Sequence, residues 1–126
     1  MESRSNDLAG RRVLVIEDES LVMMLLEDSL GEVGCEIVGK ASRSSEALEK
    51  AGSLSFDVAI LDVNLNGNQT LDVADCLSQR GIPFVFATGY GAAGLLSRFE
   101  GVPILQKPFQ QHDLEAALRA ALDPAS

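Results

Sequence analysis

Short runs of near-continuous apolar residues recur along this chain, and several stop abruptly at a charge. Val13-Leu14-Val15-Ile16 leads into Glu17-Asp18-Glu19, Val58-Ala59-Ile60-Leu61 into Asp62, and Pro103-Ile104-Leu105-Gln106 into Lys107-Pro108. A strand with one wet face alternates apolar and polar residues. Uninterrupted short runs instead fit strands covered on both faces, as in parallel sheets. The fold therefore has to place helices on either side of a sheet, with the charged residues at its carboxyl edge.

The segments between the runs supply those helices. Strand one covers Arg12 to Glu17. Ser20, a plausible N-cap, opens a helix to Val33, closed by Gly34. Strand two is Glu36 to Lys40, followed by a short helix, Ser44 to Ala51, and strand three, Asp57 to Leu61. Asn64 to Gln69 reads as a turn-rich loop containing Asn66-Gly67. Thr70 to Arg80 is a helix with Leu71, Ala74 and Leu77 on one face, ended by Gly81. Strand four is Pro83 to Ala87. Gly89, Gly91 and Gly94 then loosen the chain, so any helix around Ala92 to Phe99 is short. Strand five is Pro103 to Leu105. The last helix, Gln111 to Leu122, turns Leu114, Ala117, Leu118 and Ala121 inward and stops at Asp123-Pro124.

Five strand–helix units of this kind specify an α/β fold: a flavodoxin-like (βα)5, doubly wound, five-stranded parallel sheet of order 2-1-3-4-5. In that order, ligands bind at the carboxyl ends where the winding reverses, between strands one and three. Those strands end in Glu17-Asp18 and Asp62. The expected division is a flexible N-terminal tail over 1–10 and one domain over 11–123. The chain's 126 residues suffice for one domain and not two.

Charge narrows the partners. A net charge of −9 with scattered basic residues argues against a nucleic-acid or anionic-membrane surface. Cys35 and Cys76 match no zinc or redox spacing and read as small buried hydrophobes in a reducing compartment. The N-terminus is polar and carries no signal-peptide pattern, and the longest apolar run, Leu21 to Leu26, is far short of a membrane span. A cytoplasmic location is the expectation.

Glu17, Asp18 and Asp62 should lie close together and repel, so a cation or a proton must compensate. Oxygen donors without a neighbouring His or Cys suit Mg²⁺. Asp62 is the candidate nucleophile, since aspartyl phosphates are an established covalent intermediate. Lys107 and the hydroxyl of Thr88 are candidate partners for phosphoryl oxygens, and the backbone carbonyl of Asn64 is a candidate metal ligand. Each residue alone has a plainer reading. Glu17-Asp18-Glu19 suits a solvated helix start, Asp62 a loop cap, Thr88 a strand-end hydroxyl and Lys107 a surface charge. The coincidence of all of them at expected strand ends favours a site.

At Ile16-Glu17-Asp18-Glu19, Leu61-Asp62-Val63-Asn64, Ala87-Thr88-Gly89 and Lys107-Pro108-Phe109 the chain resembles the receiver domain of two-component response regulators, from about Arg12 to Leu122. The resemblance implies phosphorylation of Asp62 by a histidine kinase or a histidine phosphotransfer protein. It implies Mg²⁺ at Glu17, Asp18, Asp62 and the Asn64 carbonyl, phosphoryl binding by Thr88 and Lys107, and commonly a cis Lys107–Pro108 bond. It implies a phosphoacceptor that promotes its own phosphorylation and dephosphorylation, rather than an enzyme. No output domain follows Ser126, so the expected role is a single-domain regulator that signals by protein–protein interaction or drains phosphate from a kinase. Phe86-Ala87-Thr88-Gly89-Tyr90-Gly91 is similar to the signature of the mainly alphaproteobacterial "FATGUY" receivers.

Two departures stand out. Ile104 occupies the position where such domains usually carry a switch Phe or Tyr, so Tyr90 either replaces it or simply packs. The loop after Asp62 has Asn66 and Thr70 where Pro and Gly are usual. On the first helix, Val22, Leu25 and Leu26 fit the core, which leaves Leu21, Met23 and Met24 partly outside. The resemblance makes these three, with Pro108 and Phe109, candidates for kinase docking; packing on a neighbouring loop is the alternative. His112 reads as an exposed residue without a catalytic role. Three other functions compete. A haloacid-dehalogenase-type phosphatase needs Asp-x-Asp on its first core strand, whereas here Asp62-Val63-Asn64 follows strand three. A flavodoxin-type binder needs a hydroxyl- and glycine-rich loop after strand one, where this chain has acids that repel phosphate. An unphosphorylated receiver-like docking module would not need the intact acids, Thr88 and Lys107.

Overall fold

The computed structural model describes residues 8–65, 68–89, 99 and 101–122. Its elements are β1 (Arg12–Ile16), α1 (Ser20–Glu32), β2 (Glu36–Ala41), α2 (Ser44–Ser53), β3 (Val58–Asp62), β4 (Asn64–Leu65), β5 (Asn68–Gln69), α3 (Leu71–Arg80), β6 (Phe84–Thr88), β7 (Ile104–Gln106) and α4 (Gln111–Leu122). The main sheet has the order β2-β1-β3-β6-β7, and all of its pairs are parallel. This is the 2-1-3-4-5 winding expected from the sequence.

The apolar runs are continuous because each strand feeds two cores. Leu14, Ile16, Ala59, Leu61, Phe84 and Phe86 face α2 and α3, where Ala47, Ala51, Val73, Ala74 and Leu77 are buried against them. The intervening residues Val13, Val15, Val58, Ile60, Val85 and Ala87 face α1 and α4, against Leu26, Leu30, Leu114 and Leu118. Every residue of β3, Asp62 included, is buried. Gly34 (φ 84°) and Gly81 (φ 72°) close α1 and α3 in the left-handed region that glycine enters without a Cβ clash.

Several expectations change. Leu8, expected within a flexible tail over 1–10, is 1% exposed within the α1/α4 core. Its carbonyl accepts from Arg11 N at 3.2 Å and Cys35 Sγ at 3.3 Å, and Gly10 N donates to Gly34 O at 2.8 Å. One leucine in a polar run gives no periodicity to detect. Ser20 and Ser44 are the first helical residues rather than caps; the N-cap positions are Glu19 and Arg43, and neither makes a side-chain cap hydrogen bond. The loop after Asp62 contains a small antiparallel ladder, β4 with β5. Leu25 is exposed, whereas Met23 packs on the core, the reverse of the expected order. Phe109 is buried among Leu105 and Leu114, so it is core and not a docking surface. Tyr90 and the short helix expected around Ala92 to Phe99 lie outside the described residues, apart from Phe99 itself. The Phe99 ring centroid is 5.5 Å from that of Phe86.

Candidate functional site

Four parallel strands end on the same edge of the sheet, and their last or next residues meet there. Ile16 of β1 pairs with Leu61 of β3, which puts Glu17 level with Asp62. Asp62 pairs with Ala87 of β6, so Thr88 stands one residue beyond it. Thr88 pairs with Gln106 of β7, and its carbonyl accepts from Lys107 N at 2.8 Å. The Lys107–Pro108 bond that follows is cis. The sequence-predicted residues Glu17, Asp18, Asp62, Thr88 and Lys107 are thus brought to one sheet end by register alone.

The side chains converge. Lys107 Nζ lies 2.9 Å from Glu17 Oε1, 3.2 Å from Glu17 Oε2 and 3.3 Å from Asp62 Oδ2. Glu19 N donates to Glu17 Oε2 at 3.2 Å. Glu17 is 1% exposed and Asp62 6%. Burial is the largest influence on Glu17. Against the hydrogen bond from Lys107, and helped by the nearby Asp62 charge, it pushes the carboxyl from 4.5 up to about 7. Burial works against the Lys107 ammonium, but its hydrogen bond to Glu17 and the two carboxylate charges outweigh burial and hold its pKa above the usual lysine value.

The donor set suits a hard cation. One carboxylate oxygen each from Glu17, Asp18 and Asp62 lie within 4.8 Å of one another. Glu17 Oε1 is buried and close to the ammonium, yet it has no hydrogen bond of acceptable geometry. A buried carboxyl oxygen without a hydrogen bond is a place for a ligand. Three carboxylates against one ammonium leave two negative charges, which a divalent ion would balance. Oxygen-only donors with room for water or phosphate match Mg²⁺.

One participant was not singled out as a site residue by the sequence. Thr70, 1% exposed, donates its hydroxyl to Asp62 O at 2.6 Å and to Val63 O at 3.1 Å. Its sequence signal was the replacement of a usual glycine by a hydroxyl residue just before α3. Around the site, Leu21 (80% exposed) and Met24 (57%) stand out from α1, and Ile104 is 51% exposed on β7. A cleft of about 240 Å³ beside the acids is lined by Asp18, Ser20, Met23, Met24 and Ser42. His112 is exposed, 3.2 Å from Asp113.

Sheet order and acid placement together define a receiver-type α/β module. The chain belongs to the response regulator receiver domain family of two-component signalling, which it matches over residues 13–119. It is similar to the transcriptional regulatory protein PdtaR of Mycobacterium tuberculosis, 37% identical over 116 residues that make up 89% of this chain and 57% of that protein. The solution structure of SdrG from Sphingomonas melonis Fr1 superposes with a TM-score of 0.81 at 42% identity, covering 90% of this chain and 97% of SdrG. The BeF3-activated conformation of SdrG superposes at 0.76 with 43% identity, covering 90% of this chain and 98% of that one. The chain spans about half the length of the curated relatives it matches. No helix among the described residues is long and apolar enough to cross a membrane.

Proposed function

We propose that Asp62 accepts a phosphoryl group from the phosphohistidine of a histidine kinase or a histidine phosphotransfer protein, with Mg²⁺ held by Glu17, Asp18, Asp62 and the Asn64 backbone carbonyl. The observation that carries this reading is the Lys107 ammonium bridging Glu17 and Asp62 at a buried strand end. An Asp62 carboxylate oxygen forms the new O–P bond as the donor's N–P bond breaks, and the imidazole leaves with the electron pair and takes up a proton from solvent. Lys107 then exchanges its Asp62 contact for a phosphoryl oxygen, and the Thr88 hydroxyl donates to another. Mg²⁺, when bound, neutralises the carboxylates and the phosphoryl oxygens, which is most of what such a transfer needs.

The domain is a phosphoacceptor that promotes its own phosphorylation and dephosphorylation, not an enzyme acting on a separate substrate. It works in the cytoplasm and signals through protein contacts or drains phosphate from its kinase. An unphosphorylated docking module would have no use for the Lys107 bridge or for the buried Glu17 Oε1 without a hydrogen bond. The haloacid-dehalogenase alternative fails on position, because its nucleophile belongs on a first core strand and Asp62 ends β3.

Acetyl phosphate with Mg²⁺ should add one phosphoryl mass to the wild type and none to Asp62→Asn. Equal modification of both proteins by intact mass would remove Asp62 from the role. Lys107→Ala should slow modification by on the order of 10²-fold, the usual cost of losing one transition-state donor.

A further inference from the structure

Thr70 occupies the N-cap position of α3 but makes no side-chain cap hydrogen bond. An N-cap threonine ordinarily turns its oxygen towards the free N–H groups of its own helix. Here the hydroxyl points back along the chain and donates to the carbonyls of Asp62 and Val63. It has one proton, so the 2.6 Å contact to Asp62 O is the principal bond and the 3.1 Å contact to Val63 O the shared one. Thr70 N adds a second link, donating to Val63 O at 3.0 Å. From the other side, Val63 N donates to Ala87 O of β6 at 3.2 Å. The Asp62–Val63 backbone is thus clamped between β6 and the start of α3.

The next residue is Asn64. Asn64 pairs with Gln69 and Leu65 with Asn68 in the antiparallel ladder. Bonded and non-bonded pairs alternate in such a ladder. Because Val63 accepts from Thr70, Asn64–Gln69 is the non-bonded pair, and the Asn64 carbonyl faces away from Gln69. Two of the ligand positions assigned to Mg²⁺ above, the Asp62 carboxylate and the Asn64 carbonyl, therefore flank the backbone that Thr70 fixes.

We propose that Thr70 is a positioning residue, whose hydroxyl anchors the Asp62 and Val63 carbonyls and so keeps the Asp62 carboxylate and the Asn64 carbonyl aimed at one cation. The inference rests on the phosphoacceptor reading for its purpose but is read out on the metal. Groups that orient metal ligands are typically worth about 10–100-fold in metal affinity.

The test is a Mg²⁺ titration of the ¹⁵N-labelled protein, followed by NMR, for the wild type, Thr70→Val and Thr70→Ser, with melting curves alongside. Valine keeps the shape and removes the donor. It should weaken Mg²⁺ by about tenfold or more and slow acetyl phosphate modification, while serine should stay close to the wild type. Wild-type Mg²⁺ affinity in Thr70→Val with only a lower melting temperature would reduce Thr70 to a structural tie and overturn the proposal. So would a serine variant as weak as the valine one. Should valine prevent folding, Thr70→Cys carries the same comparison, because a thiol is a poor donor; Mg²⁺ affinity equal to that of serine would overturn the proposal. A wild type that binds Mg²⁺ but takes no phosphoryl group would sink the acceptor reading, and the Mg²⁺ affinities would still decide Thr70.

Discussion

Glu17 is an acid whose folded pKa, about 7, lies above its ordinary 4.5. The folded state therefore holds this proton more tightly than the unfolded chain does. Its contribution to stability is fully present below the ordinary value and declines as pH rises through the folded one. The shift corresponds to at most about 3 kcal/mol. The raised Lys107 pKa keeps that ammonium charged throughout the same window, so it does not cancel the slope. In metal-free buffer the melting temperature should fall between about pH 5 and about pH 8, and Glu17→Gln should flatten that fall. A wild-type curve that rises over this range would refute the assignment. Because Mg²⁺ needs the ionised form, its affinity should climb over the same interval. At this scale the sequence named acids that meet at one sheet end but not their inequality. Glu17, Asp18 and Glu19 read alike as letters. Only the packing around β1 buries Glu17 while leaving Glu19 exposed. Thr70 was invisible as a site residue for a related reason, because its role depends on a hydroxyl turning away from its own helix.

Helix α1 shows what periodicity can and cannot settle. Leu21 to Leu26 are all apolar, so the pattern announces a helix with too much apolar surface but leaves its rotation open by a residue. The structure sets that phase: Leu26 is buried, Val22 and Met23 pack on the core, Leu21, Met24 and Leu25 are exposed, and Met24 lines the acidic cleft. Under the proposed phosphotransfer, an exposed Leu–Met face at the acidic cleft suits contact with a phosphodonor protein. Leu21→Ala together with Met24→Ala should slow phosphotransfer from the cognate donor by about tenfold while leaving acetyl phosphate modification unchanged. The melting temperature should barely move, since exposed substitutions cost about 0.5 kcal/mol or less. Equal losses with both donors would show that these side chains support the site rather than the encounter. Strand β3 is the opposite case: expected over Asp57 to Leu61 and found over Val58–Asp62, its buried run was legible to within a residue, because a strand covered on both faces leaves no phase to misjudge.

Across the whole molecule, the parallel winding determines where charge accumulates. Strand order and the carboxyl-end location of the site were legible, because right-handed crossovers leave few ways to connect five buried strands. The β4–β5 ladder and the docking of Leu8 were not, since each depends on contacts between segments with no pattern of their own. The chain concentrates three acids at one sheet end within a molecule of net charge −9. That arrangement favours cation binding and strains the metal-free fold through like-charge repulsion. Function and stability should therefore pull apart at Asp18. Asp18→Asn keeps the side-chain shape and removes one of the repelling charges, so the metal-free variant should be more stable than the wild type by about 1 kcal/mol, or ~4 °C in melting temperature. Mg²⁺ at ten times its dissociation constant should stabilise the wild type by about 1.4 kcal/mol and the variant hardly at all. A variant that melts below the wild type without metal would mean that the Asp18 carboxylate contributes more as a structural partner than it costs in repulsion. One that gains as much from Mg²⁺ as the wild type would remove Asp18 from the metal site altogether.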